Sequence, residues 1–204
     1  MSGQVPKGKQ RASQAKIEDV AEFYQTIDRR NLIHKISPVR PYVYTTMEVY
    51  DQANGIRGAG GLGVLAADTR RVAEDLEIPF VTLTPFYQTE RHQRLEKLEP
   101  HDDYVSRSPE AEGFRAIGQV ALHIKDKPDA TLDIYQKQLG SSRFLCMTEP
   151  NFGPLYCDTP SSDHRLYQMT SLGFGGYAAL KMADLKPAVI QLNETATVFA
   201  AVAR

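Results

Sequence analysis

The pattern that most restricts the fold of this chain is a strand, a glycine-rich loop, a helix and a second strand in succession. Residues 41–50 (PYVYTTMEVY) are rich in β-branched and aromatic side chains, which favour a strand. Glycines are concentrated in the next segment, GIRGAGGLG at 55–63, and apolar residues then recur at the helical period over 62–76. A short apolar segment, IPFVTL at 78–83, completes the series. This order predicts a βαβ unit and therefore a parallel sheet.

The helix of this unit is predicted to bury one apolar face and to expose a charged one. The helical period predicts that the apolar residues lie together against the sheet, and that the charged residues lie on the opposite side in water. The buried face is expected to hold Leu62, Leu65, Ala66, Thr69, Val72, Ala73 and Leu76, and the exposed face Asp68, Arg70, Arg71, Glu74 and Asp75.

The sequence in the middle of the chain predicts a group of antiparallel strands between two loops. Residues 88–112 are highly charged and lack apolar periodicity, so they are predicted to form a loop. Strand-like patterns follow at 118–124, 130–138 and 143–149, and the first two are predicted to form a hairpin. Residues 150–162 are predicted to form a second loop.

The last third of the chain predicts a helix, a strand and a further helix. A long helix is expected from 164 to 185, capped by Asp163 and ended by Lys186-Pro187. The segment 188–193 is apolar, as strands covered on both faces are, and residues 194–204 begin another helix. The chain is therefore predicted to be α/β, a Rossmann-like three-layer domain with a mainly parallel sheet.

Composition is that of an ordinary globular protein, with 42% hydrophobic and 24% charged residues among 204. Residues 1–16 are predicted to be a disordered basic tail, with a helix at 17–30 and one domain over 17–204. The net charge of -1 gives no reason to expect a nucleic-acid partner, and a membrane partner or membrane span is not expected either, so the expected location is cytoplasmic. Cys146 and Cys157 are expected to be buried and reduced, and no metal site is expected.

The glycine loop leaves three interpretations open. Gly58 to Gly63 fits G-x-G-x-x-G between a strand and a helix, and helix-terminal N–H groups there suit an anionic or strongly polar ligand. An NAD-dependent oxidoreductase would also need an acid at the end of the second strand, and residues 80–87 contain none. A second interpretation assigns the glycines only to tight packing of the turn. The third is a family resemblance.

Four blocks of sequence resemble the α-glucan (glycogen, starch or maltodextrin) phosphorylase family, in the family's order over about residues 41–204. GGLGVLAADTRRVAEDLEIPFV resembles its Gly-Gly-Leu-Gly loop, helix and strand, and YVYTTMEVY resembles its strand ending in Ser-Met-Glu-Phe. LYQMTSLGFGGYAALKMADLKP resembles its helix with Gly-Ile-Gly-Gly, and PAVIQLNETATVFAAVAR its strand with Leu-Asn-Glu/Asp.

The resemblance implies half of a GT-B-type enzyme, in which two Rossmann-like domains face each other across a cleft. The family carries pyridoxal phosphate on a lysine of the C-terminal domain and cleaves α-1,4-glucan with phosphate to give glucose 1-phosphate. It implies that backbone N–H groups of the glycine loop contact phosphate or a glucosyl unit. The substrate-binding residues implied are Gly60, Gly61, Leu62, Gly63, Glu48, Asn193 and Glu194, with no catalytic residue assigned.

Departures from the family shape the functional expectation. Ala196 stands where the family has a histidine, Ala67-Asp68 where it has Gly-Asp, and no lysine matches the one that bears the cofactor. The expected protein is therefore a phosphorylase half, inactive and free of cofactor alone, that needs a second chain carrying the missing domain, or a fragment. The alternatives are a non-catalytic module that binds α-glucan or sugar phosphate, and an oxidoreductase. A homo-oligomer is the other expected assembly.

Several polar residues keep two interpretations each. Glu48 is expected either to accept a sugar hydroxyl or to be a buried carboxylate tying down the loop, and Glu194 to cap the last helix or to face a sugar. Arg91 and His92 are expected in a solvated loop rather than facing phosphate, and His164 at the surface.

Overall fold

The computed structural model describes residues 35–58, 60–125, 129–150, 152–155 and 162–204, without the side chains of 91–93 and Ser162. The chain divides into two compact units, Met1–Lys35 and Ile36–Arg204, and every element below belongs to the second. The predicted tail at 1–16 and helix at 17–30 lie outside the described residues.

Eight strands and a set of helices form the second unit as it is described. The strands are β1 (Tyr42–Thr45), β2 (Phe80–Pro85), β3 (Thr89–Glu96), β4 (Glu99–Ser106), β5 (Arg115–Leu122), β6 (Ala130–Leu139), β7 (Ser142–Thr148) and β8 (Val189–Leu192). The helices are α1 (Gly60–Asp75), α2 (Ser162–Thr170), α3 (Gly176–Met182) and α4 (Phe199–Val202), with a π-helical turn at Ser171–Gly175 and short helical turns at Gln52–Asn54 and Thr195–Thr197.

Six strands form one mixed sheet in the order β5-β6-β7-β2-β1-β8. Strands β7, β2, β1 and β8 are mutually parallel, and Tyr42 of β1 pairs with both Phe80 of β2 and Val189 of β8. Strands β5 and β6 extend the sheet by antiparallel pairing next to β7. The predicted βαβ unit, the parallel sheet and the antiparallel strands in the middle of the chain are therefore confirmed.

The core lies on both faces of this sheet, because successive strand side chains point to opposite faces. One face carries Val43, Leu83 and Leu145, which form a cluster with residues of the 162–182 helical segment such as Leu172. The other face carries aromatic residues such as Tyr44, Phe80 and Phe144, which cluster with alanines of α1. The predicted three-layer α/β architecture is confirmed. No helix among the described residues is both long and apolar enough to span a membrane.

The predicted faces of α1 are wrong in part. Leu65, Val72 and Leu76 are exposed, whereas Arg70 is buried with small residues of the helix. Arg70 Nη2 lies 2.9 Å from Oδ2 of the fully buried Asp51, and its guanidinium stacks 5.6 Å above the Phe144 ring. Small side chains let the helix approach the sheet closely. Arg70 is stable in this buried position because its charge is paired with the buried carboxylate of Asp51.

The predicted loop at 88–112 is also wrong, because β3 and β4 form an antiparallel hairpin separate from the main sheet. Its turn, Lys97-Leu98, has positive φ at both positions (51° and 70°), as two-residue hairpin turns require. Strand β4 is exposed along its whole length, so neither face needs apolar alternation. A hairpin of this kind gives no hydrophobic period from which to predict it.

The long helix is confirmed but begins at Ser162, so that Asp163 lies in its first turn, and it contains the π-helical turn. A Cβ at Gly173 would lie 2.3 Å from Phe199 Cβ, and one at Gly176 would lie 2.8 Å from Leu83 Cδ2. These glycines therefore allow close contact with α4 and with the sheet. Strand β8 was predicted to be covered on both faces, but it is the last strand of the described sheet and only partly buried.

Candidate functional site

Two of the predicted site residues, Glu48 and Asn193, lie with other polar side chains on one edge of the sheet, where the four parallel strands end. Glu48 follows β1, Tyr87 follows β2, Glu149 follows β7 and Asn193 follows β8. Open α/β sheets bind their ligands outside the carboxyl ends of their strands. The topology therefore brings polar side chains from distant parts of the sequence to the edge that suits a ligand.

Thr46 connects the ends of the first and last parallel strands. Its Oγ1 accepts a hydrogen bond from Asn193 Nδ2 at 3.1 Å and donates to the carbonyl oxygen of Glu48 at 2.9 Å. The backbone N–H of Asn193 donates to the carbonyl oxygen of Thr45 at 2.9 Å. The structure thus joins two predicted site residues, Glu48 and Asn193, through a hydroxyl that sequence reasoning did not single out.

The glycine loop folds back on the end of β1. The N–H of Tyr50 donates to the carbonyl oxygen of Gly63 at 2.9 Å. A Cβ at Gly58 would lie 2.5 Å from the Val49 carbonyl oxygen, and one at Gly63 would lie 3.2 Å from the Tyr50 nitrogen. Packing alone therefore accounts for the glycines at 58 and 63, while the φ of 77° at Gly60 suits the residue that starts α1.

Gly61 differs from its neighbours in the loop. A Cβ built at this position would meet no atom within 4 Å, and the residue is exposed in the first turn of α1. Packing gives no reason for glycine here. The first N–H groups of a helix have no partner within the helix and lie at the positive end of its dipole. The open space at Gly61 thus leaves these groups accessible to a polar or anionic ligand.

A small cleft of about 10 Å³, with room for about one water molecule, lies beside Glu48, between the end of β1, the glycine loop and the end of β2. Its walls include Glu48, Arg57, Gly58, Phe86, Tyr87 and Arg107. Glu48 is buried with 4% exposure, and Tyr87 fixes one wall because its hydroxyl donates to the Met47 carbonyl oxygen at 2.9 Å.

Two arginines line this cleft, and both are paired with carboxylates. Arg107 stacks 5.7 Å above the Phe86 ring, donates to the Gly55 carbonyl oxygen at 2.9 Å and bonds to Glu112. Arg57 is more exposed and has a long ion pair of 3.7 Å with Glu90. Together with Glu48, the cleft combines a carboxylate that can accept from hydroxyl groups with guanidinium groups that can donate to oxyanions.

Glu194 is exposed and its backbone is strained. It has φ 69° and ψ 171°, a region populated almost only by glycine. Its side chain makes no capping hydrogen bond to the helical turn that follows, so the predicted role as a helix cap is wrong. Its carbonyl oxygen instead accepts from Thr197 Oγ1 at 2.9 Å.

A further polar group holds the segment after β7, and sequence reasoning missed it. Tyr167 donates to Glu149 Oε1 at 3.0 Å, and burial together with this hydrogen bond raises the pKa of Tyr167 to about 12. The Phe152 carbonyl oxygen contacts His164 Nε2 at 3.0 Å and accepts from Gln168 Nε2 at 2.8 Å. The His164 side chain is therefore half-buried against the Phe152 carbonyl oxygen, contrary to the surface position predicted for it. Nothing local in the sequence pairs these residues.

The remaining candidates take no part in the site as described. Arg91 and His92 lie in β3, and their side chains are outside the described part of the structure. Cys146 is free and fully buried, and burial raises the pKa of its thiol. Cys157 lies outside the described residues. No group of three or more metal-ligating side chains occurs among the residues that the structure describes.

No protein-family model matches the sequence, and no curated protein matches it either. Solved structures do match, in 19 chains. One is the catalytic domain of starch synthase IV from Arabidopsis thaliana bound to ADP and acarbose, with a TM-score of 0.54 and 14% sequence identity over 79% of this chain. The fold of this chain is similar to one half of a GT-B fold.

This likeness confirms the predicted fold class. The match covers 29% of the starch synthase chain, so this chain spans less than a third of that length. At 14% identity the likeness shows the fold alone. The predicted resemblance is therefore confirmed in its coarser form, a glycosyltransferase-like fold, and membership of the phosphorylase family stays a prediction.

Proposed function

We propose that this chain is the sugar-binding half of an α-glucan phosphorylase-type glycosyltransferase. The observation that carries the proposal is the joining of Glu48 and Asn193 through Thr46 at the carboxyl edge of a GT-B-type sheet, beside a glycine turn. The four sequence blocks that resemble the family include these same residues. The fold is shared with a starch synthase solved with ADP and acarbose, which supports a carbohydrate or sugar phosphate as the ligand.

Each part of the edge has a role that its chemistry suits. The carboxylate of Glu48 accepts hydrogen bonds from sugar hydroxyl groups, and Asn193 Oδ1, which has no hydrogen bond among the described residues, accepts another. The N–H groups of Gly61 and Leu62 donate to a phosphate or to a glucosyl oxygen. Arg57, the more exposed of the two arginines, can donate to an anionic group, whereas Arg107 is held by Glu112 and the Gly55 carbonyl oxygen.

Pyridoxal phosphate, which the resembling family uses, does not fit the residues of this cleft. The cofactor needs a lysine for its Schiff base, and none of the residues that line the cleft beside Glu48 is a lysine. Lys137, which lies on β6, donates to the carbonyl oxygens of Asn54 and Glu112 at 2.9 Å each. We propose that a cofactor-bearing partner supplies the phosphorolytic chemistry and that this chain binds and orients the sugar.

The binding role is tested by calorimetric titration of the chain with maltoheptaose and with glucose 1-phosphate. Glu48→Gln and Asn193→Ala are expected to weaken binding about tenfold each, because each removes a hydrogen bond to the ligand. Glu99→Gln, on the exposed strand β4, is the matched control and is expected to bind as the parent does. Equal affinity for all four proteins, or no binding by the parent, contradicts the proposal.

Titration with NAD tests the oxidoreductase alternative. Strand β2 ends at Pro85 and is followed by Phe86 and Tyr87, without the acid that dinucleotide sites place there, so no binding is expected. Release of glucose 1-phosphate from maltodextrin by the pure chain would contradict the proposed division of labour. Sugar binding without any activity in the presence of a cofactor-bearing half would favour the non-catalytic binding module.

A further inference from the structure

A second cavity lies at the opposite edge of the sheet, at the amino ends of β2 and β7. Its volume is about 240 Å³, and three chain segments border it: the segment before β1, the turn from α1 into β2, and the turn from β6 into β7. Nothing in the site at the carboxyl edge uses these residues. The cavity is therefore a separate feature of the fold.

The walls of this cavity are largely apolar and rigid. Pro38, Pro41, Pro79 and Phe80 line it. The Phe80 ring is stacked on the Tyr42 ring, with 5.5 Å between the ring centroids. The proline rings hold their φ angles fixed. The segment containing Pro38 is held by reciprocal backbone hydrogen bonds of 2.9 and 3.0 Å across the turn between 37 and 40. A preformed apolar wall of this kind suits the body of a small ligand.

The polar groups in the cavity include donors that lack partners. Arg143 is partly buried, and its guanidinium makes no hydrogen bond or ion pair among the described residues. The Ser141 hydroxyl has no hydrogen-bond partner there either, but its oxygen is fully buried and is not exposed to the cavity. The side-chain amide of Gln138, by contrast, donates to the carbonyl oxygens of Gly140 and Ser142 at 2.8 and 2.9 Å.

An arginine fork without a protein partner matches an oxyanion, because a guanidinium binds a carboxylate or phosphate through two parallel hydrogen bonds. Glu77 is the acidic residue on the cavity's lining, and it is exposed, so that water screens its charge. We infer that this cavity binds a small molecule that joins a carboxylate or phosphate to a compact apolar body. Arg143 holds the oxyanion, and the prolines and Phe80 contact the remainder. This inference does not rest on the proposed function.

The test uses benzoate, which has a carboxylate on an apolar ring, and benzamide, which has the same ring without the charge. Inorganic phosphate and phenyl phosphate form a second pair that separates the oxyanion from the apolar body. Backbone amide signals of the labelled full chain are followed by NMR as each probe is added. Benzoate or phenyl phosphate is expected to shift signals of 77–81 and 138–143 saturably, and benzamide to bind at least about tenfold more weakly.

Variants then assign the binding to Arg143. Arg143→Gln is expected to weaken binding of the charged probes about tenfold, and Arg143→Lys less, because lysine keeps the charge but loses the fork. Arg115→Gln removes an exposed arginine of β5 outside the cavity and is expected to change nothing. Arg143→Lys keeps the positive charge and tests the site even where Arg143→Gln lowers the melting temperature.

Three results would overturn the inference: no saturable shift with either charged probe, equal binding of benzoate and benzamide, or unchanged binding of both charged probes by Arg143→Gln and Arg143→Lys. Maltoheptaose binding is measured on the same variants and is expected to be unchanged, since its proposed site lies at the other edge of the sheet. The two sets of measurements thus distinguish failure of the inferred ligand site in the cavity from failure of the proposed sugar site.

Discussion

Glu194 shows how one residue can be held in an unfavourable conformation at the edge where a ligand is expected. A non-glycine residue in this backbone region costs about 1–3 kcal/mol, and no side-chain hydrogen bond to the following turn offsets that cost. Strain of this kind persists where the surrounding structure requires it. At Glu194 the consequence is an exposed carboxylate that directly follows Asn193.

Replacing this residue separates stability from binding. Glu194→Gly is expected to stabilise the chain by about 1 kcal/mol, because glycine adopts the backbone conformation without the steric cost. The same change is expected to weaken sugar binding. Urea unfolding measures the first effect and calorimetry the second. Glu194→Ala removes the carboxylate but keeps the strain, so a glycine variant no more stable than the alanine variant contradicts the prediction.

Tyr167 predicts a pH dependence of stability. Its pKa is raised to about 12 from the ordinary value of 10.0, first by burial and then by the hydrogen bond to Glu149. The folded state therefore keeps a proton that the unfolded state releases. The stabilisation is fully present below pH 10 and is lost as the pH rises toward 12.

Unfolding in urea between pH 9 and pH 12 measures this loss. Tyr167→Phe is expected to remove part of the alkaline decrease in stability, because phenylalanine has no proton to release. The parent and the variant are compared at each pH, so that titration of lysines affects both alike. Parallel curves for the two proteins across this interval would show that Tyr167 does not contribute.

At the scale of elements, α1 is held in place by a buried ion pair rather than by its larger apolar residues. Arg70 joins the helix to Asp51 in the preceding loop, and its Nη1 donates to Ser142 of β7 at 3.0 Å. A buried charge without its partner is costly, so these residues depend on each other. The exposed Leu65, Val72 and Leu76 contribute little to this packing.

Breaking the pair is expected to be severe. Arg70→Met leaves the buried carboxylate of Asp51 with the half-exposed Arg71 as its remaining cationic partner and with the Asn54 amide, and is expected to cost about 3–5 kcal/mol of unfolding free energy. Arg70→Met combined with Asp51→Asn is expected to recover a large part of this loss. Arg94→Gln, in an exposed pair of the hairpin, is the control and is expected to change stability by less than about 1 kcal/mol. A double variant as unstable as Arg70→Met contradicts the interpretation.

The glycines of the two helical segments are expected to respond differently to substitution. Gly61→Val places its Cβ in open space, so it is expected to lower sugar-phosphate affinity more than stability. Gly173→Ala forces a methyl group to within 2.3 Å of Phe199 Cβ and is expected to destabilise the chain by about 1–3 kcal/mol. Melting temperatures and calorimetric affinities of both variants provide the test. Unchanged sugar-phosphate binding by Gly61→Val would leave this turn without a role in the ligand site.

At the scale of the whole molecule, apolar side chains are exposed near the last helix. Val198, Val202 and Phe174 are 41%, 66% and 40% exposed, and the Phe174 ring lies 6.3 Å from that of Phe199. Exposed apolar residues that lie together favour association. We expect the chain to associate through this surface, with itself or with the partner that the proposed function requires.

Light scattering over a concentration series tests this expectation. Val202→Asp is expected to reduce self-association without lowering the melting temperature, because the side chain is mostly exposed. Leu98→Asp, which changes the 92% exposed residue at the hairpin turn, is the matched control and is expected to have no effect. A parent that is monomeric at all concentrations, and that also fails to bind a cofactor-bearing half, would contradict the expectation.

Local patterns in the sequence determined the βαβ unit, the parallel sheet and the α/β class, because backbone sterics and the periods of helix and strand act over short distances. Glu48, Asn193 and the glycine turn were also found from local patterns and a resemblance. Whether they bind sugar stays a prediction. Their position on one sheet edge follows from parallel pairing.

Only the tertiary structure decided which residues are buried and which partners they have. Arg70 is buried because Asp51 and Phe144 come to it from other segments, and Leu65 is exposed because alanines already fill the contact. The charged hairpin of β3 and β4 has no apolar face to predict it. An apolar period shows which side chains favour burial, but the available space and the charge opposite each residue are properties of the folded chain.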